Sequence, residues 1–196
     1  EKLQKEAERL NTILEIGIVL FLLSFVIVYV QWRKTRKQNK IIEEQHRQLD
    51  ENHKEITDSI SYAKNIQDAM MTSTVYLKDV LPESFIFFKP KDVVSGDYYW
   101  VYKTPYNNIY FTVADCTGHG VPGAFMSMIG TSLLNENIVD YKIDNPAKVL
   151  GNMRSKIIES LNDHSSKTNN KDGMDMALCK LNLKTKTLDY TGANNP

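Results

Sequence analysis

The feature that most constrains this 196-residue chain is an apolar run near its start. Sixteen of the twenty residues from Ile13 to Trp32 are apolar, and twenty helical residues span about 30 Å, the thickness of a bilayer's hydrocarbon core. A buried helix or the core of a signal peptide would share this composition. However, a dozen residues, most of them charged or polar, precede the run, and no cleavage site of small residues follows it. The run therefore predicts a transmembrane helix over residues 13–32, with residues 1–12 as an extracytoplasmic juxtamembrane stub.

The charges on either side of this run predict its orientation. Residues 1–12 balance three basic against three acidic side chains, whereas residues 33–40 carry five basic residues and no acidic one. Because basic flanks stay on the cytoplasmic side, we expect a single pass through the cell inner membrane, with everything after Trp32 in the cytoplasm. The basic residues are also suited to contact membrane lipid. Nucleic acid is not favoured as a partner, since the whole chain carries 24 basic and 24 acidic residues.

The segment after the basic residues has the composition of a helical stalk. Residues 38–71 contain neither glycine nor proline, which favours an uninterrupted helix. Apolar side chains recur every seven residues, at Ile42, Leu49, Ile56, Ala63 and Met70. The companion positions four residues further on are mostly polar, so residues 33–71 are predicted to form a weak coiled coil through which a homodimer could assemble. A passive helical spacer is the alternative.

After Thr72 the chain changes to short runs rich in aromatic and β-branched residues, which are typical of β-strands. The predicted strands are Ser84–Lys89, Asp97–Lys103 and Ile109–Ala114, followed by a hairpin of Met174–Leu183 and Thr187–Thr191. The other predicted elements are helices over Val121–Asn137 and Pro146–Leu161, the N-cap Asn145, and a mobile loop over Asn162–Gly173. Strands and helices are grouped rather than strictly alternating, which favours packed antiparallel sheets over a Rossmann-type fold.

Two aspartates in this part of the chain stand at the ends of predicted strands. Asp97 follows Gly96 in the run VSGDYYW, and Asp115 lies in VADCTGHG. A carboxylate at the end of a buried strand is costly unless its charge is compensated, and two carboxylates from neighbouring strands can seat a hard divalent cation. The glycine-rich turn after Asp115 would add backbone carbonyl oxygens as further hard ligands. Spacing alone leaves open the alternative that both aspartates are turn or cap residues.

Several runs between Ser61 and Pro196 carry a family resemblance. They are SYAKNIQDAM, PESFIFFKPKDVVSGDYYW, ADCTGHGVPGAFMSMIG, DGMDMALC and TGANNP. Together they resemble the PPM-type serine/threonine phosphatases, and especially the bacterial SpoIIE/RsbU branch, which is often found behind membrane sensor modules. For residues 72–196 the resemblance implies an α+β fold, a partial PPM-type αββα sandwich. It also implies a cofactor of two Mn²⁺ or Mg²⁺ ions between the two sheets.

The resemblance also assigns catalytic and metal-binding roles. Asp97 and Asp115 correspond to metal-binding aspartates of the family, and Cys116 to a residue that binds metal through its backbone carbonyl. The implied reaction is in-line attack of a metal-activated water on the phosphorus of a phosphoserine or phosphothreonine, with no phosphoenzyme. Cys116 is then not a thiol nucleophile.

The turn that follows Cys116 is expected to support the loop or the substrate. It contains Gly118, His119 and Gly120. Here His119 is either a proton donor to the leaving alkoxide or a support for the glycine turn. The family continues beyond its GANNP segment into SDG-type and DD motifs that supply further metal-binding aspartates. These 196 residues stop before both motifs, and Asp172 and Asp175 match a different motif. We therefore expect the 196-residue chain to be an inactive, C-terminally incomplete part of a phosphatase.

The resulting function prediction is a membrane-anchored protein serine/threonine phosphatase in bacterial signal transduction. An input from an N-terminal sensor would act through the membrane helix and the stalk. The expected substrate is a phosphorylated regulatory protein, which family precedent suggests is an anti-anti-sigma-type regulator. The alternative is a non-catalytic sensor or scaffold module that binds a phosphorylated partner.

Overall fold

The structure is a computed structural model in which residues 2–161 and 172–195 are described. It divides into two compact units, Glu1–Ile56 and Thr57–Pro196. The predicted mobile loop Asn162–Gly173 lies outside the described residues except at its last two positions.

Helix α1, Lys2–Met70, is continuous over 69 residues, as the absence of internal proline predicts. It is the one helix in the described part of the chain that is long and apolar enough to cross a membrane. Its most apolar stretch is not buried against protein, which distinguishes it from the core helix of a soluble domain. At the C-terminal end of this stretch, the guanidinium group of Arg36 lies 4.6 Å from the centre of the Trp32 ring.

In the part of the chain that the structure describes, four strands form a single antiparallel sheet in chain order. They are β1 Tyr98–Lys103, β2 Asn108–Cys116, β3 Met174–Asn182 and β4 Thr187–Ala193. This confirms the prediction of antiparallel strands and of a hairpin after residue 174. Side chains alternate between the two faces of each strand, so a residue's position in the register decides which face it occupies.

Helices α2 (Thr74–Val80), α3 (Gly120–Leu134) and α4 (Pro146–Leu161) complete the described elements together with a π-helical turn, Asn135–Asp140, that continues α3. The bounds predicted for α4 are confirmed, and the Asn145 side chain accepts a hydrogen bond from the backbone N–H of Ala147 at 2.9 Å. Helix α2 was not predicted. Its N-cap is Ser73, whose hydroxyl accepts from the backbone N–H of Tyr76.

The core divides between the two faces of the sheet. On one face, buried strand residues such as Tyr98, Tyr110 and Leu178 pack with side chains of α3 and α4, including Leu134 and Met153. A smaller cluster lies on the opposite face, where α2 contributes Leu77 and Val80 and the strands contribute Val101 and Ile109. The rest of this opposite face, beyond the α2 cluster, carries the two aspartates singled out by the sequence.

The prediction of a strand over Ser84–Lys89 is wrong, because this segment joins no sheet ladder in the described structure. The free edge of β1 is already occupied by side chains: Thr72 Oγ1 accepts from Val101 N at 2.8 Å, and Tyr76 OH accepts from Lys103 N at 3.0 Å. The segment's aromatic and β-branched composition favours a strand, but β propensity requires a partner strand.

Candidate active site

The two aspartates are brought together by the register of β1 and β2. Tyr98 pairs with Ala114, so Asp97, one residue before Tyr98, lies beside Asp115, one residue after Ala114. The backbone N–H of Asp97 has left the ladder and donates to Ser95 Oγ at 3.1 Å. Both aspartates are exposed residues rather than buried ones, so the cost of burying a charge is smaller than the sequence pattern predicted.

The Asp115 carboxyl group affects the ionisation of Asp97. Partial shielding from water raises the pKa of Asp97, and the neighbouring Asp115 carboxylate raises that pKa further through its charge and through a side-chain hydrogen bond. Like charges so close together disfavour ionisation of both groups at once. The pair is therefore a concentration of negative charge that a cation would stabilise.

Backbone oxygens from the turn after β2 converge on the loop that carries Asp97. A methyl group added at Gly96 would lie 2.8 Å from the carbonyl oxygen of Gly118 and 3.2 Å from that of Cys116, so only glycine allows this approach. Gly118 and Gly120 have φ angles of 89° and 62°, a region that side chains disfavour. The turn therefore depends on glycine at the positions that the sequence predicted.

These donors fit part of the coordination shell of a hard divalent cation. Carboxylate and carbonyl oxygens are the ligands that Mn²⁺ and Mg²⁺ prefer, and Asp97, Asp115 and the Cys116 carbonyl supply them. Within residues 2–161 and 172–195, however, no group of three or more His, Cys, Asp or Glu side chains is arranged to hold a metal ion. The described residues offer two carboxylates where a complete two-ion site needs more.

The thiol of Cys116 is not poised as a nucleophile. Its side chain points to the buried face of β2, where the residue is 4% exposed. Burial, with smaller contributions from Asp115 and Asp97, raises the pKa of the thiol to about 12. Because the thiolate is the reactive form, Cys116 can contribute its backbone carbonyl but has no activated sulfur.

His119 lies at the N-cap position of α3 but makes no side-chain capping bond. Its ring instead reaches Asp92, in the loop before β1, with Nδ1 and Oδ2 2.9 Å apart. The His119 side chain is 74% exposed. His119 thus links the turn after β2 to the loop that leads to Asp97.

Gln67, near the end of α1, lies four residues after Ala63 and so occupies one of the mostly polar companion positions of the predicted coiled coil. It is 3% exposed. Its amide nitrogen donates to the Ser95 carbonyl at 2.6 Å and to Ser127 Oγ at 2.8 Å, and its amide oxygen accepts from Ser95 N at 3.1 Å. Gln67 therefore ties the Asp97 loop to α3.

The comparisons with known proteins agree with this geometry. Residues 105–196 match the family model described as stage II sporulation protein E (SpoIIE). Among solved structures, the SiaA-PP2C domain of Pseudomonas aeruginosa is 33% identical, with a TM-score of 0.60, over 72% of this chain and 55% of that one. No curated protein matches the chain.

The antiparallel sheet, its flanking helices and the paired aspartates at the ends of β1 and β2 define a PPM-type phosphatase fold. The C-terminal part of this chain is similar to the SpoIIE branch of that fold. The chain spans about half the length of the SiaA domain structure that it matches.

Proposed function

We propose that this chain is part of a membrane-anchored, metal-dependent protein phosphatase that hydrolyses phosphoserine or phosphothreonine in a regulatory protein. The observation that carries the proposal is the position of Asp97 and Asp115 at adjoining ends of β1 and β2, where both side chains line one cavity. The match to the SpoIIE family model supports the reaction class.

The roles of the residues follow from their places around this pair. Asp97, Asp115 and the Cys116 carbonyl would hold Mn²⁺ or Mg²⁺. When bound, these ions supply a Lewis acid and an activated water for the hydrolysis of a phosphate ester. Gly118 and Gly120 shape the turn beside the pair, and His119 would donate a proton to the leaving alkoxide.

Metal titration tests this assignment independently of activity. Calorimetry with Mn²⁺ alone should show weak binding to the 196-residue chain, and Asp97→Asn and Asp115→Asn should each abolish it, because each variant removes one of two carboxylates. Asp79→Asn is the matched control, since Asp79 is an exposed aspartate on α2. Undiminished binding in both site variants would refute the assignment.

Hydrolysis of a phosphoserine peptide tests the reaction itself. We expect no hydrolysis above background for the 196-residue chain, because its described residues supply only two of the carboxylates that a two-ion site uses. A form extended over the full length of the domain should be active with Mn²⁺ or Mg²⁺, and Asp97→Asn should inactivate it. An extended form that binds the phosphopeptide without hydrolysing it would favour the non-catalytic binding module instead.

The localisation that we propose is a single pass through the inner membrane, with residues 1–12 outside, residues 13–32 in the bilayer, and both the stalk (33–71) and the phosphatase domain (72–196) in the cytoplasm. The basic residues after Trp32 support this orientation. Single cysteines introduced at Asn11 and at Thr35 test it. An impermeant maleimide applied to intact cells should label the first and not the second, and the reverse result would invert the topology.

We further propose that the stalk pairs two copies of the chain and transmits an input to the phosphatase domain. The apolar heptad positions Ile42, Leu49 and Ile56 are about half exposed in the single helix, as a dimer seam requires. Replacing these three residues with asparagine should abolish disulfide crosslinking through a cysteine introduced nearby. If crosslinking persists, the seam lies elsewhere.

A further inference from the structure

The contact between Asp92 and His119 lies beside the paired aspartates. Both residues line a cavity of about 240 Å³ that also includes Asp97, Asp115 and Lys91. Asp92 comes from the loop before β1 and His119 from the turn after β2. The contact therefore joins the two loops that carry the carboxylate pair.

The His119 ring is held by Asp92 rather than by the helix that it precedes. An N-cap side chain ordinarily bonds a backbone N–H of the first turn, and His119 makes no such bond. A methyl group at Gly120 would lie 3.6 Å from Asp92 Oδ2, an ordinary van der Waals distance, so Asp92 lies against the turn that carries His119. A role for the His119 side chain in capping α3 is excluded by this geometry.

We propose that Asp92 is a positioning residue that fixes the His119 ring with its proton on Nδ1 and its Nε2 directed to the scissile phosphate ester. A neutral imidazole has one donor and one acceptor nitrogen. An ionised carboxylate only accepts, so the nitrogen facing Asp92 carries the hydrogen. Nε2 is then the atom that binds and releases a proton.

The proton transfer from His119 that follows from this arrangement rests on the phosphatase function proposed above. The bond between phosphorus and the serine oxygen breaks, and its electron pair stays on that oxygen, while a water oxygen forms the new bond to phosphorus and the water releases one proton to the solvent. The protonated Nε2 of His119 gives its proton to the leaving oxygen, which departs as the serine hydroxyl. The ring is left neutral with Nδ1–H on Asp92, and a proton from the solvent restores it. Lys91, Asp97 and Asp115 are the other charged side chains that line this cavity.

Nitrogen-15 spectroscopy of the ring tests the proposal in the 196-residue chain. In the wild type, neutral His119 should be in the Nδ1–H form. Asp92→Asn should retain that form, because the amide oxygen still accepts, whereas Asp92→Ala should revert to the Nε2–H form that free histidine prefers. Lys91→Ala is the matched control and should leave the ring signals unchanged. Wild-type signals in Asp92→Ala would overturn the proposal.

The dependence of the hydrolysis rate on the leaving group tests, in the full-length protein, whether His119 donates a proton to the leaving oxygen. Asp92→Ala should slow hydrolysis of a phosphoserine peptide by about tenfold, a part of the roughly hundredfold loss expected from removing a general acid. Hydrolysis of p-nitrophenyl phosphate should change less than about twofold, because its leaving group departs as a stable anion without help. Equal losses on both substrates would show a merely structural role and overturn the proposal. If the wild type hydrolyses neither ester, the proposed function fails, and the ring spectra still decide whether Asp92 sets the tautomer.

Discussion

Gln67 offers the sharpest test of how the Asp97 loop is held. Replacing Gln67 with leucine keeps most of its volume but removes both of its polar atoms. The backbone N–H of Ser95 then loses its acceptor at 3.1 Å. The Ser95 carbonyl loses its 2.6 Å donor but keeps a 3.2 Å bond from Ser127 Oγ. One buried donor is therefore left without a partner, and one acceptor keeps a weaker one.

The expected cost follows from this inventory. A buried donor without a partner costs about 1–3 kcal/mol, and Ser95 is only 7% exposed, so Gln67→Leu should lose about 2 kcal/mol of unfolding free energy. Gln67→Glu should lose more at neutral pH, because one carboxylate oxygen must face the Ser95 carbonyl. Gln48→Leu is the control. Gln48 is an exposed stalk residue bonded only to Glu44 in the hydrogen bonds resolved for it, and its replacement should stay within about 0.5 kcal/mol.

Urea unfolding followed by domain tryptophan fluorescence measures the free energy, and amide hydrogen exchange at Ser95 measures the local effect. Exchange at Ser95 should accelerate in Gln67→Leu by more than at β-sheet amides far from the site. If Gln67→Leu unfolds within 0.5 kcal/mol of the wild type and Ser95 exchange is unchanged, then Gln67 does not hold the loop.

Three further predictions concern other parts of the same domain. Gly96→Ala should lose about 1–3 kcal/mol of unfolding free energy, because the added methyl group meets backbone oxygens. In the same urea assay Gly151→Ala should be neutral or stabilising, because no atom lies within 4 Å of the added methyl group. Iodoacetamide at pH 8 should not modify Cys116 until the domain unfolds, as mass spectrometry of the labelled protein would show. A hydrogen bond from Lys180 lowers the pKa of Asp144. The ionised Asp144 therefore stabilises the folded domain above about pH 4, and this contribution is lost as the pH falls through the lowered pKa. Asp144→Asn should accordingly reduce the dependence of unfolding free energy on pH in the acid range.

Local signals in the sequence predicted the elements whose stabilising contacts are themselves local. Helix α4 was placed correctly because Asn145 is a capping residue directly before Pro146, and the structure shows the capping bond. The β3–β4 hairpin was placed correctly because two runs of strand-forming residues flank a short polar turn at 183–186. In both cases the residues that fix the element lie within a few positions of it.

The elements that were missed depend on contacts between distant residues. The segment Ser84–Lys89 has strand-like composition, but the β1 edge that it would need is bonded to Thr72 and Tyr76. Gln67 matched a polar coiled-coil position, and its burial results from Ser95 and Ser127, 28 and 60 residues away. A period of seven describes which residues share a helix face, but it contains no information about what that face meets.

The candidate site shows the same division between local pattern and distant contact. The motifs predicted that Asp97 and Asp115 would be neighbours, and the Tyr98–Ala114 pairing accounts for it. The motifs did not predict that a third aspartate extends this pair into a row across the sheet. Asp175 on β3 pairs with Asp115 on β2, and Asn194 donates to the Asp175 carboxylate at 2.9 Å. The Asn194 amide carries no positive charge, so it does not neutralise the negative charge of these carboxylates. A cation bound by Asp97 and Asp115 would therefore relieve repulsion along the row as well as within the pair. Asp175→Asn should then weaken binding of Mn²⁺ without abolishing it, in contrast to the complete loss expected from either aspartate of the pair.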